Sequence, residues 1–212
     1  MSKNHAFALA AAALLGLGLM ASSGFQNGPE KFAVVDMNKV MNDSKRGQNT
    51  RNSLQANFRQ RTGILEFLNV NDVATEQQAT QLRQMSLKDP KSDAETKAIE
   101  ALKDDIKKAV KEFNDLNQKN PLTPEDRNKL EAFNGRRNTI KEKIIPTMQK
   151  EFDDEFNEMN RKMQGDLLTA AKAAVKEVAG KKAVTMVFES SVVMFSANDL
   201  TDDAIKAMDA KG

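Results

Sequence analysis

Apolar and polar positions divide the chain into two kinds of stretch. Three short runs have β-branched centres and read as strands: KFAVVD at 31–36, AVTMVFE at 183–189 and VVMF at 192–195. Ser190 and Ser191 separate the last two, which predicts a tight hairpin. Almost everything between the first strand and this hairpin is polar, charged and helix-favouring. The two ends of the chain are therefore expected to meet in one small sheet, with a long helical excursion projecting between them.

The excursion carries its own punctuation. Ser44 caps a first helix to about Leu68, in which Leu54, Phe58, Leu65 and Leu68 keep one face apolar. A break follows at 69–74. Thr75 with Gln78 three residues on is a capping-box pattern that restarts a short helix to about Leu87. Asp89-Pro90 ends that helix, and Ser92 with Glu95 forms a second box. The helix it opens places Leu102, Ile106, Ala109, Phe113 and Leu116 on steps of four and three, a coiled-coil seam. The turn NPLTP at 120–124 leads into the longest helix, with Thr123 as cap, Pro124 at the first helical position and Asp126 at the third.

That helix is expected to run from Pro124 to about Val178, roughly 80 Å at the α-helical rise. Its stripe is Leu130, Phe133, Ile140, Ile144, Met148, Phe152, Phe156, Met159, Met163, Leu167, Ala170 and Ala174. Pro146 lies inside it and removes a backbone donor, which predicts a kink near Glu142. Gly165 is a second soft point, Gly180 is expected to close the helix, and 201–208 forms a short final helix with Asp202 and Asp203 at its N-terminus. The domain plan is a signal segment at 1–23, a β body from 31–43 and 180–212, and a helical arm at 44–179. Breaks in the arm fall near 69–74, 88–92 and 119–124.

The signal segment follows from pattern. Lys3 and His5 form a polar start, residues 6–20 are unbroken Ala, Leu, Gly, Phe and Met, and the small residues 21–24 form a cleavage zone. The apolar run falls short of the roughly 20 residues a membrane span requires. Export is the expectation. Removing Lys3 leaves 31 of the 32 basic residues against 30 acidic ones, a balance that argues against a nucleic-acid partner. The chain has no Cys, Trp or Tyr, and its one His lies in the leader. Without imidazole or thiol there is neither the usual general base nor an ordinary zinc site, so no catalytic, cofactor-binding or metal-binding residue is assigned. No phosphate-binding loop is present, so neither an enzyme nor a nucleotide cycle is expected.

The stripe is rich in Met and Phe, flexible and polarizable surfaces that accommodate many partners. Either it packs the two arms together or it is wider than one partner helix covers and faces a cavity; Met148, Phe152, Phe156, Met159 and Met163 are the candidate client-binding residues. Charge is segregated too. Lys45, Arg46, Arg51, Arg59 and Arg61 have no acid among them, Arg127, Lys129, Arg136, Arg137, Lys141 and Lys143 form a second basic group, and Glu151, Asp153, Asp154, Glu155 and Glu158 an acidic block. Intra-arm pairing on a solvated face accounts for this, and a peripheral contact with an anionic membrane surface is the functional counterpart. Asp154 and Glu158 share a helical face, but no His completes a metal or glycosidase site.

The stretch FAVVDMNKVMNDSKRGQ at 32–48 resembles the start of mature Skp/OmpH-family periplasmic chaperones. The stretch VTMVFESSVVMFSANDLTDDAIKAM at 184–208 resembles the family's ending more closely, with strand, two-residue link, second strand and a cap before the last helix. The resemblance implies a homotrimer whose strands form one β body, with helical-hairpin arms enclosing unfolded outer-membrane proteins. Phe32, Val34, Val35, Val184, Met186, Phe188, Val193 and Phe195 are the expected body and trimer-strand residues. Three short strands in one protomer are too little sheet to stand alone, which also favours association. The expected function is ATP-independent holding of unfolded outer-membrane or envelope proteins. The alternative is a structural coiled-coil adaptor of the envelope with one specific partner.

Overall fold

The computed structural model of the chain describes residues 31–211; the leader at 1–23 lies outside the described residues. The protein is mainly helical with one small sheet. Its elements in chain order are β1 (Phe32–Val35), α1 (Met37–Asp43), α2 (Lys45–Val70), α3 (Glu76–Leu87), α4 (Asp93–Gln118), α5 (Pro124–Thr139), a π-helical segment (Ile140–Ile144), α6 (Ile145–Lys181), β2 (Met186–Glu189), a 3-10 turn (Ser190–Val192) and α7 (Thr201–Asp209). They form two compact units, one from residues up to Met41 with Ala171–Lys211, the other from Asn42–Ala170.

In the first unit β1 and β2 pair in parallel, Phe32 opposite Met186 through Val35 opposite Glu189. The opposite edge of β1 is also occupied. Val34 N–H donates to the Asn198 carbonyl and Leu200 N–H to the Val34 carbonyl, both at 2.9 Å. A strand bonded on both edges has its backbone satisfied, which lets Ala33, Val34 and Val35 be buried. Ala33 packs with Val178, Ala179 and Leu200, and Val187 and Val184 close over them. The loop ends are tied by side chains: Asp36 N–H donates to Thr201 Oγ1 at 2.9 Å, and Met37 N–H to the Glu189 carboxylate at 3.2 and 3.3 Å.

The hairpin expected at 190–195 does not form. Ser190–Val192 make a 3-10 turn, and the chain passes to the far edge of β1 at 198–200 instead of pairing back on β2. Val193 and Phe195 are therefore not strand residues, and Val184 precedes β2 rather than lying in it. The apolar run was read as a strand because its composition fits one; among the described residues the chain leaves the outer edge of β2 unpaired and bonds the far edge of β1 instead.

Gly180 does not close α6 either. The helix runs to Lys181, and the left-handed residue is Ala183, with φ 53°. Val184 N–H returns to the Ala179 carbonyl at 2.9 Å and Ala183 N–H to that of Gly180 at 3.2 Å, a Schellman stop with Ala where glycine is usual. Ala183 is exposed. Replacing it with Gly removes the left-handed strain and should stabilise the protein by about 0.5–1 kcal/mol, read as a higher urea midpoint at unchanged slope.

The second unit starts as its caps dictate. Ser44 Oγ accepts from Gly47 N–H, and full capping boxes form at Thr75 with Gln78, Ser92 with Glu95, and Thr123 with Asp126. Satisfying these N-terminal donors fixes where α2 to α5 begin. Ile64 and Leu68 of α2, Ala79 and Leu82 of α3, Ile99 and Ile106 of α4, and Ile140, Met148 and Phe152 of the following helix share one core. Val73, Phe113, Leu116 and Phe133 form a second, with the Phe113 and Phe133 rings edge-on at 5.9 Å. Before Pro146 the helix widens to a π turn in which Ile145 N–H bonds the Ile140 carbonyl, five residues back. The extra residue absorbs the donor that proline lacks, and α6 continues without a break.

Candidate functional site

The five residues picked from the stripe divide sharply. Met148 and Phe152 are 5% and 3% exposed, members of the arm core rather than an open surface. In the protomer both pack in one core with Leu68, Leu82 and Ile106 rather than standing open to clients, and periodicity alone does not reveal which partner covers a stripe. Phe152 lies between two guanidiniums, Arg61 at 5.7 Å and Arg83 at 5.2 Å from its ring centroid. Glu155 holds both in place, accepting from Arg61 at 3.1 Å and Arg83 at 2.7 Å, and Glu151 also accepts from Arg83.

Phe156, Met159 and Met163 are half-buried and recur at steps of three and four, so they share one side of α6. Phe156 meets Phe58 of α2, edge-on at 5.8 Å, and Phe58 is 55% exposed. Phe58 was legible as a seam residue and missed as part of this surface; a large aromatic on a helix of mostly polar neighbours was the available signal. Together these four side chains leave apolar surface accessible on the arm unit.

Part of the segregated charge is paired inside the arm. Glu151 and Glu155 are engaged by arginines, which removes them from any carboxylate site, and Lys129 meets Glu112 at 2.9 Å. Asp72, in the buried turn after α2, accepts from Arg137 and Lys141 at 2.8 Å each. Burial acts to raise the Asp72 carboxyl, but the hydrogen bonds from Lys141 and Arg137 and their charges outweigh it and leave it below the ordinary carboxylate range. The folded value is lower than the unfolded one, so the stabilisation is present above the unfolded pKa and is lost as pH falls through the folded one. Asp72→Asn should cost about 1–2 kcal/mol at neutral pH, with the gap to wild type narrowing below about pH 4 in urea titrations.

In the sheet unit, Phe32, Met186 and Phe188 are 40–47% exposed, and Val192, Met194 and Phe195 more so. The Phe32 and Phe188 rings lie 6.0 Å apart. Val34 and Val35 are buried in the protomer itself.

The model of the family described as outer membrane protein (OmpH-like) matches residues 67–208. The chain belongs to the OmpH-like family. The match takes in two-thirds of the chain, including α3, α4 and the C-terminal stretch 184–208; the N-terminal stretch 32–48 lies before it. No curated protein matches the chain. The family is one of periplasmic chaperones rather than enzymes. Among its described residues this OmpH-like chain has no helix long and apolar enough to cross a membrane, and no cluster of ligating side chains that would hold a metal.

Proposed function

We propose that the chain is an ATP-independent holdase of the periplasm that keeps unfolded outer-membrane or envelope proteins from aggregating. The observation that carries this reading is the apolar face formed by exposed Phe58 with the partly buried Phe156, Met159 and Met163 in a member of a chaperone family. Such a face offers weak, numerous contacts to exposed apolar segments, and release requires no chemistry. Homotrimerisation accompanies the reading. The exposed apolar residues Phe32, Met186, Phe188, Val192, Met194 and Phe195, beside the outer edge of β2, are the surface it would cover. The basic residues left outside the ion pairs supply any peripheral contact with anionic membrane.

The burial of Met148 and Phe152 favours a second reading, an envelope adaptor whose arm is filled by its own side chains. Dilution of a urea-unfolded outer-membrane β-barrel protein with the purified chain separates the two. Light scattering should be suppressed without ATP, and the variant Phe156→Ser, Met159→Ser, Met163→Ser should lose that suppression while keeping its helical signal. Aggregation at the rate of the client alone, with the wild-type chain present, selects the adaptor reading.

A further inference from the structure

A cavity of about 310 Å³ opens within the arm unit between α2, α3 and α4. Its floor is apolar, formed by Ile64, Leu82 and Ile99, all at most 8% exposed. Its remaining walls carry three cations, Arg59, Lys91 and Lys103, and no acid. None of the three forms an ion pair among the described residues; Lys103 rests over the Phe67 ring at 5.5 Å. The nearby acid Glu95 is already taken by Lys88 and by its own cap on Ser92. Gln60 braces the wall by donating to the Ser86 carbonyl.

Gly63 also lines the cavity. It sits inside α2, where glycine costs about 1 kcal/mol relative to alanine. A Cβ built there meets no atom within 4 Å, so no neighbour demands its absence. It faces open space, as Gly135, Gly165 and Gly180 do, and at Gly63 that space adjoins the cavity.

We propose that this cavity binds a carboxylate carried beside an apolar side chain on an extended peptide, as at the C-terminus of a client chain. Arg59, Lys91 and Lys103 would take the carboxylate and the Ile64, Leu82 and Ile99 floor the side chain. A phosphate is the poorer fit. The walls present no cluster of free backbone N–H groups, because the first turn of α4 is capped by Ser92 and Glu95, and an apolar floor gives a phosphate nothing. The inference rests on the holdase reading for the identity of its ligand as a peptide.

The test uses the purified chain and N-acetylated hexapeptides with a neutral dye, ending in leucine. One has a free C-terminus, one is amidated, and one is amidated with an aspartate before the leucine. The free acid should bind at least about tenfold tighter than the plain amide, the worth of one charge-assisted contact. Gly63→Leu, which fills open space, and the double change Lys91→Gln, Lys103→Gln should each abolish that preference. Equal binding of the aspartyl amide supports the proposal with a side-chain carboxylate as source. Equal affinity for free acid and plain amide, or an unchanged preference in both variants, overturns it. Stronger binding of inorganic phosphate or anionic lipid vesicles at the same residues replaces the peptide by a phosphate ligand and also overturns it. The outcomes separate from the holdase reading, since aggregation suppression is scored independently: suppression without acid preference sinks the cavity alone, and acid preference without suppression sinks the holdase alone.

Discussion

Replacing Phe152 with alanine is expected to destabilise the arm unit by about 3–5 kcal/mol, the range for removing a fully buried ring. The ring is 3% exposed and belongs to the core shared by α2, α3, α4 and α6. Its loss also strips the surface on which Arg61 and Arg83 lie, and Arg61 Nε is already buried without a partner. Phe156→Ala, four residues on and half-exposed, should cost much less. Urea melts followed by circular dichroism check the contrast. Similar small losses at both positions would mean that Phe152 is an open-surface residue after all.

Leu200→Ala should cost about 2–4 kcal/mol in the sheet unit. Leu200 is fully buried against Ala33, Val178 and Ala179, and its N–H donates to Val34. Shortening it loosens the one segment that satisfies the second edge of β1. Hydrogen exchange should accelerate at the amides of Val34 and Leu200 before it does at the capped starts of α3 and α4. Uniform acceleration throughout the chain would contradict the division into two units.

What the sequence made legible follows from range. The helix starts at Ser44, Thr75, Ser92 and Thr123 depend on residues three apart, and each was readable because its donors and acceptors are local. The stripe on α5 and α6 was readable as well, as a period. Which part of it is covered was not: that depends on α3 arriving from about seventy residues earlier, with Arg83 as a charged signal of the contact. The same limit explains the false third strand. Val192 to Phe195 have strand composition, whereas 198–200, which do bond β1, are Asn, Asp and Leu with no alternation to betray them. Pro146 was correctly seen to disturb the helix, but backbone accommodation by a π turn leaves no mark in the side-chain pattern. Of the candidate client residues, Phe156, Met159 and Met163 stand on accessible surface, and Phe58 joins them because of a ring contact across ninety-eight residues.

The most direct measurement of the central claim is site-specific photo-crosslinking to a diluted, unfolded outer-membrane β-barrel protein. A photo-reactive phenylalanine analogue replaces Phe156 in one sample, Met159 in a second and Phe152 in a third, all without ATP. Client crosslinks are expected at 156 and 159, with few or none at 152. Absence of crosslinks at 156 and 159, or equal yield at 152 from a chain that remains folded, would contradict that claim.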